Sequence, residues 1–246
     1  MLFKSLTDEQ VHVYDDIMNA ILSKHGGFFF LYGYGVTGKT CMWKTLSAVI
    51  RSKGMIVLNV ASSGISSLLL PGGKTTHSTF CIPLLINEES TCSIAQSILR
   101  VKLLMTTNLI IWDETPMMNK MCFEAFDKTL RDIMKNVDKC NNTKPFCGKV
   151  VVLRDDFRQI LPVIKKASMY DIIKSSIHYS DLWQYCKVLK LTKNMRLNTT
   201  QNRQTIEEIK EFVDWILKIG DGEMDLNENG ESMVEIPQQL LFLNTK

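Results

Sequence analysis

A chain of 246 residues with 45% hydrophobic and 22% charged residues can bury a substantial core and has an ordinary globular composition. Its net charge of +3 is too small to argue for a nucleic-acid partner alone, so any basic patch must be local. Its seven cysteines make no C-x-x-C pair and no zinc spacing, which suits a reducing compartment better than a disulfide framework.

The N-terminus MLFKSLTDEQ is charged within ten residues, so it is not a signal peptide, and no apolar run approaches a membrane span. The chain reads as cytosolic or nuclear. Thr7 is placed to cap a helix reaching about Lys24, with Asp8 and Glu9 in its first turn. Four continuous apolar runs follow, Phe28–Tyr32, Met55–Ala61, Leu109–Asp113 and Lys149–Leu153, with a weaker fifth at Lys187–Leu191. Helices are expected over Thr40–Lys53, Ser63–Leu70 and Met118–Val137. Runs of this kind, separated by helices, predict strands buried on both faces of a doubly wound parallel α/β sheet, with ligands at the carboxyl ends of the strands. Beyond Asn198, the spacing of Ile206, Ile209, Phe212, Val213, Ile216 and Ile219 predicts a further helix, which Gly220 can close. The stretch Asp221–Ser232 is acidic and rich in Asn and Gly, and reads as a loop or linker. The apolar Leu240–Leu243 reads as the start of a further element.

Three stretches carry chemistry. The segment Gly33-Tyr34-Gly35-Val36-Thr37-Gly38-Lys39-Thr40 satisfies G-x-x-x-x-G-K-T, between a strand and a helix. Glycines let backbone N–H groups turn around phosphate oxygens and the helix adds its positive end. Lys39 then reaches the terminal phosphates and Thr40 ligates magnesium. The acids closing Leu109-Ile110-Ile111-Trp112-Asp113-Glu114 are the expected partners: Asp113 for the magnesium, Glu114 to polarise a water. Adjacent acids favour hydrolysis over nucleotide storage. In Val150–Val163, Gln159 could hydrogen-bond a γ-phosphate or the attacking water, whereas Asp156 and Arg158 read as a surface ion pair.

Taken together, LTDEQ, GYGVTGKT, VASSGISSLLLPGGKTTHSTF, LIIWDETPM, DFRQILPV and LTKNMRL closely resemble the petite integration frequency (Pif-type) DNA helicases, in the version of plant genomes and rolling-circle transposons. The resemblance runs from Leu6 to about Leu241. It implies a P-loop NTPase with a RecA-like motor lobe over 1–198, and a helix, acidic linker and start of a truncated following region over 199–246. It further implies an ATP- and Mg2+-dependent 5′-to-3′ DNA helicase, probing single-stranded DNA and duplex junctions as a monomer. Recombination, repair of DNA damage and telomere maintenance in the nucleus are its implied settings.

By the same resemblance, Gln10 reads the adenine edge, and Gly33, Gly35, Gly38, Lys39 and Thr40 bind the phosphates. Thr40 and Asp113 hold the metal. Glu114, Lys39, Gln159 as γ-phosphate sensor and Arg196 as a charge-stabilising arginine perform the catalysis. Ser62, Ser63, Thr76 and His77 lie in the segment laid along single-stranded DNA, although His77 reads equally as a structural histidine.

Three departures from the family pattern stand out. Val36 replaces a glycine, at a strain of about 1–3 kcal/mol if that position needs positive φ. Arg154 and Asp155 replace two glycines ahead of Asp156-Phe157-Arg158-Gln159. The motifs of a second lobe do not follow. Besides a helicase motor lobe, the sequence therefore admits a degenerate ATP- or DNA-binding module without unwinding activity. A P-loop kinase of small metabolites is a third reading, which Gln10 and DFRQILPV disfavour.

Overall fold

The structure is a computed structural model and describes residues 6–33, 37–96, 98–135, 143–155, 160–193, 195, 203–223 and 233–237. The chain divides into two compact units, Met1–Asn194 and Met195–Lys246.

The first unit is built on six parallel strands: β1 (Gly27–Tyr32), β2 (Ile56–Ala61), β3 (Lys74–Thr75), β4 (Thr107–Asp113), β5 (Val150–Asp155) and β6 (Lys187–Lys190). They lie in the order β3-β2-β4-β5-β1-β6, and every pairing is parallel. The α-helices of this unit are α1 (Asp8–Ser23), which precedes β1, and, between the strands, α2 (Lys39–Ser52), α3 (Gly64–Leu69), α4 (Thr76–Phe80), α5 (Ile98–Thr106), α6 (Lys120–Met134) and α7 (Met169–Lys174).

Side chains alternate across the sheet, so each apolar strand feeds two cores at once. Phe28, Phe30, Ile110, Trp112, Val151 and Leu153 face one side, where they meet Phe80 of α4, Phe123 and Phe126 of α6, and Phe146. Rings pack closely there, with Phe80 and Phe126 stacked at 4.0 Å between centroids. Phe29, Leu31, Leu109, Ile111, Val150 and Val152 face the other side, against Val13 and Ile17 of α1 and Trp43 and Leu46 of α2. The doubly wound parallel sheet expected from the sequence is the one observed.

The five expected strands differ from the observed ones by at most two residues at any end. The two-residue β3 and the helices α4, α5 and α7 were not expected. Helix α6 begins at Lys120, because the Asn119 side chain accepts from the Met121 N–H and caps it there; the expected end at Val137 lies outside the described residues.

In the second unit, helix α8 spans Arg203–Asp221. Gly220 lies inside this helix and does not close it; Gly222, with φ +72°, is the left-handed residue beyond its end. The Trp215 indole N–H donates to the Glu235 carbonyl at 3.0 Å. Residues 224–232 and Leu240–Leu243 lie outside the described residues.

Candidate active site

Strand order brings the carboxyl ends of β4, β5 and β1 side by side, and the residues singled out in the sequence gather there. At the β1 end the chain turns through Gly33. A Cβ at this position would come within 2.9 Å of Thr37 Oγ1 and 3.1 Å of the Leu191 carbonyl oxygen. Gly38 takes φ +77° and forms the N-cap of α2, a backbone that glycine adopts without strain. No side chain caps α2 and no acid lies in its first turn, so its positive end is left for an anion. Lys39, 7% exposed, donates from Nζ to the Gly33 carbonyl, which holds its ammonium across the mouth of the loop. Thr40 follows in the first turn of α2, half-buried.

Gln10 joins this corner from α1. It is 1% exposed; its Nε2 donates to the Thr37 carbonyl at 2.9 Å and its Oε1 accepts from the Thr7 N–H at 3.0 Å. The second bond, with the Gln10 N–H donating to Thr7 Oγ1, is a capping box. The T-x-x-Q spacing carried that signal in the sequence. The amide therefore ties the start of α1 to the phosphate loop.

At the β4 end, Asp113 is 5% exposed. Its Oδ1 accepts from the Glu114 N–H at 3.0 Å and its Oδ2 from Arg154 Nη1 at 2.5 Å. The parallel register aligns Asp113 with Arg154 on the neighbouring strand, which puts the two side chains next to each other. Burial pushes the Asp113 carboxyl up, and the Arg154 guanidinium pulls it part of the way back. Glu114 takes φ +53°, an unusual backbone for a non-glycine residue and one that concentrates at functional sites. Its Oε2 is buried with no hydrogen-bond partner, as expected of a carboxylate whose partner is a ligand.

Magnesium takes hard oxygen ligands in octahedral geometry, and the hydroxyl of Thr40 and the carboxylate of Asp113 have the right chemistry. Each Asp113 oxygen already accepts one protein donor, and the Arg154 guanidinium competes with a metal ion for that carboxylate. Among the described residues, no group of three or more His, Cys, Asp or Glu side chains could hold a metal.

The segment after β2 reaches the same end of the sheet. Ser62 donates from its N–H and its Oγ to the Asp113 carbonyl at 3.0 and 3.3 Å. Ser63 caps α3, its side chain accepting from the Ser66 N–H. His77 is half-buried, and burial lowers its pKa. Thr76 departs from expectation. It is 0% exposed and its hydroxyl is enclosed without a partner, so in this conformation it offers no contact to a strand of DNA.

Gly35, Val36, Gln159 and Arg196 lie outside the described residues. Sequence reasoning missed the Arg154–Asp113 pair, and it missed Glu9. The Glu9 carboxylate accepts from the Thr192 N–H at 2.9 Å, the Thr192 hydroxyl at 2.7 Å and the Lys193 N–H at 3.2 Å. It thereby fixes the start of the LTKNMRL segment to α1.

A PIF1-like helicase family model matches residues 5–230. The chain belongs to this family. Among PIF1-like relatives, it is 30% identical over 200 residues to the ATP-dependent DNA helicase RRM3 of Saccharomyces cerevisiae, covering 78% of this chain and 25% of that protein. It is 31% identical over 150 residues to the ATP-dependent DNA helicase PIF4 of Trypanosoma brucei brucei, covering 59% of this chain and 18% of that one. The crystal structure of a Bacteroides Pif1 helicase in complex with ADP-AlF3 and single-stranded DNA superposes with a TM-score of 0.67 at 25% identity, covering 89% of this chain and 47% of the other. The Candida albicans Pif1 helicase shares the fold, with a TM-score of 0.69 at 19% identity over 96% of this chain and 50% of that one. This PIF1-like chain thus spans about half the length of the solved helicases and a quarter or less of these curated relatives. No helix among its described residues is long and apolar enough to cross a membrane.

Proposed function

We propose that this chain is the nucleotide-binding motor lobe of an ATP-dependent DNA helicase, with the lobe over residues 1–198 and a following region over 199–246. The observation that carries the reading is the uncapped start of α2 beside Lys39, with a buried Asp113 and a half-buried Glu114 two strands away. Phosphates bind the helix end and Lys39. Glu114, with its unpartnered oxygen, polarises the attacking water. Gln159 and Arg196 complete the catalytic set and Gln10 contacts the base. Single-stranded DNA and duplex junctions lie along Ser62, Ser63 and His77, bound through phosphates with little sequence preference. The RRM3 relative and the Bacteroides complex support helicase activity and a DNA partner. Translocation is 5′-to-3′, the working form is a monomer, and the setting is recombination, repair or telomere maintenance in the nucleus.

One observation favours a second reading, a module that binds ATP and DNA but hydrolyses slowly and does not unwind. Arg154 holds the carboxylate that a motor of this family needs for its metal. Phosphate release by the purified chain, with and without single-stranded DNA, separates the two. Release that DNA stimulates strongly supports the motor. Nucleotide binding with release near background, whatever DNA is added, supports the module. DNA-independent turnover would sink both.

A further inference from the structure

Arg154 and Asp113 stand opposite each other on adjacent strands, and their ion pair is mostly enclosed, with side chains 17% and 7% exposed. The backbone N–H of Glu114 takes the other carboxylate oxygen, so each Asp113 oxygen already accepts from the protein and a further cation would have to compete with Arg154 for the carboxylate. Arg154 Nε is buried without a partner. A guanidinium left partly unsatisfied in such a place is held by something specific, and the Asp113 carboxylate is the one acid that it pairs with among the described residues. The charged groups that act on Asp113 through space offset one another. Asp113 and Glu114 bring two negative charges, and Arg154 and Lys39, both of which act on Asp113 through space, bring two positive ones.

We infer that Arg154 is a built-in cation that occupies the metal side of Asp113, so that this chain binds nucleotide through α2 and Lys39 without Asp113 ligating a divalent ion. The inference rests on the proposed nucleotide site and concerns how that site treats its metal. Two consequences follow from the geometry. Magnesium bound to a nucleotide gains nothing from Asp113 here and keeps at most the Thr40 hydroxyl, so affinity for nucleoside diphosphate depends only weakly on magnesium. Removing the guanidinium frees Oδ2, and magnesium then strengthens binding through Asp113.

The test uses the full 246-residue chain and a fluorescent ADP analogue, titrated in excess EDTA and in millimolar MgCl2. The original chain is expected to show less than about a threefold difference in Kd between the two, and Arg154→Met about a tenfold tightening by magnesium, the worth of one charged contact. Arg154→Met with Asp113→Asn should lose that gain. A second measurement needs no variant: Mn2+ bound to ADP, followed by electron paramagnetic resonance, should keep the same Mn2+ affinity with the original chain as in solution. A tenfold magnesium dependence in the original chain, or Mn2+ held more tightly with it than by ADP alone, overturns the inference. Magnesium dependence absent from Arg154→Met does the same. Failure of the original chain and the variant alike to bind the analogue is a different result, because it removes the nucleotide site itself.

Discussion

The two corners of the site are built by different means. The β1–α2 corner is shaped mainly by backbone, with the Lys39 side chain across it: a left-handed Gly38, a Gly33 with no room for a side chain, and an uncapped helix end. At the β4–β5 corner they are side chains whose partners depend on the neighbouring strand, and there Arg154 has taken Asp113. Sites made of backbone tolerate change around them, since what they need is dihedral freedom and a helix. Sites made of side chains are rewired when one residue in register changes. On the proposed function, the first corner keeps its phosphate-binding elements in Gly33, Gly38 and the start of α2, and the second carries this chain's own chemistry.

If that contrast holds, substitutions at the two corners should fail differently. Glu114→Gln, at the side-chain corner, has the largest expected effect. On the proposed mechanism it removes the group that polarises the water, so turnover should drop by about 10²–10⁴-fold while nucleotide affinity is unchanged. Quenched-flow hydrolysis paired with equilibrium binding measures both, and normal hydrolysis by this variant removes Glu114 from the mechanism. Lys39→Ala, at the backbone corner, should instead weaken binding itself, by about 10–100-fold from the loss of a charged hydrogen bond to phosphate. Circular dichroism should be unchanged, because Lys39 lies in the first turn of α2, before its packed face. Loss of the fold on Lys39→Ala would mean that its bond to the Gly33 carbonyl is structural and that the corner is not preformed.

The same contrast explains what the sequence made legible. Continuous apolar runs such as Phe28–Tyr32 announce strands buried on both faces, because few other elements need such a run. The phosphate loop was legible for a similar reason, since glycines before a Lys-Thr pair have a narrow physical purpose. Helix α5, ILRVKLLMT, escaped because its apolar residues leave no clear polar face, and β3 escaped because two residues make no pattern. The Arg154–Asp113 pair could not be read at all from spacing along the chain. It depends on β4 and β5 being neighbours at one register, which sheet order decides. Gln10 was singled out as a base reader by the family resemblance alone, while its place as the third residue after the capping Thr7 went unread. Each of its amide atoms makes one bond to protein here, so a contact with a base has only the second N–H and the second lone pair of that amide to use.

That double engagement predicts a smaller, mixed effect. Gln10→Ala removes the reciprocal half of a capping box and the tether to Thr37, and should lower stability by about 1–2 kcal/mol. Denaturant unfolding with and without ATP separates the roles. An equal loss in both conditions means a structural tether, and a greater loss with ATP means a contact to the nucleotide as well.

The smallest expected effect belongs to Glu9, which anchors Thr192 and Lys193 to the first turn of α1. Burial pushes its carboxyl up, but the hydrogen bonds from Thr192 and Lys193, with the charge of Lys193, outweigh that and leave its pKa below the usual 4.5. A carboxyl that is more acidic folded than unfolded adds stability that is fully present above the unfolded value. That stability disappears as the pH falls through the lower, folded one. The side chain is only partly covered, so screening keeps the contribution below about 1 kcal/mol. Glu9→Gln should therefore melt slightly earlier than the original chain near neutral pH, and the gap should narrow below about pH 4. A gap that stays constant across that range would mean that the hydrogen bonds hold equally well to an uncharged side chain. The link between α1 and the LTKNMRL segment would then be one of shape and not of charge.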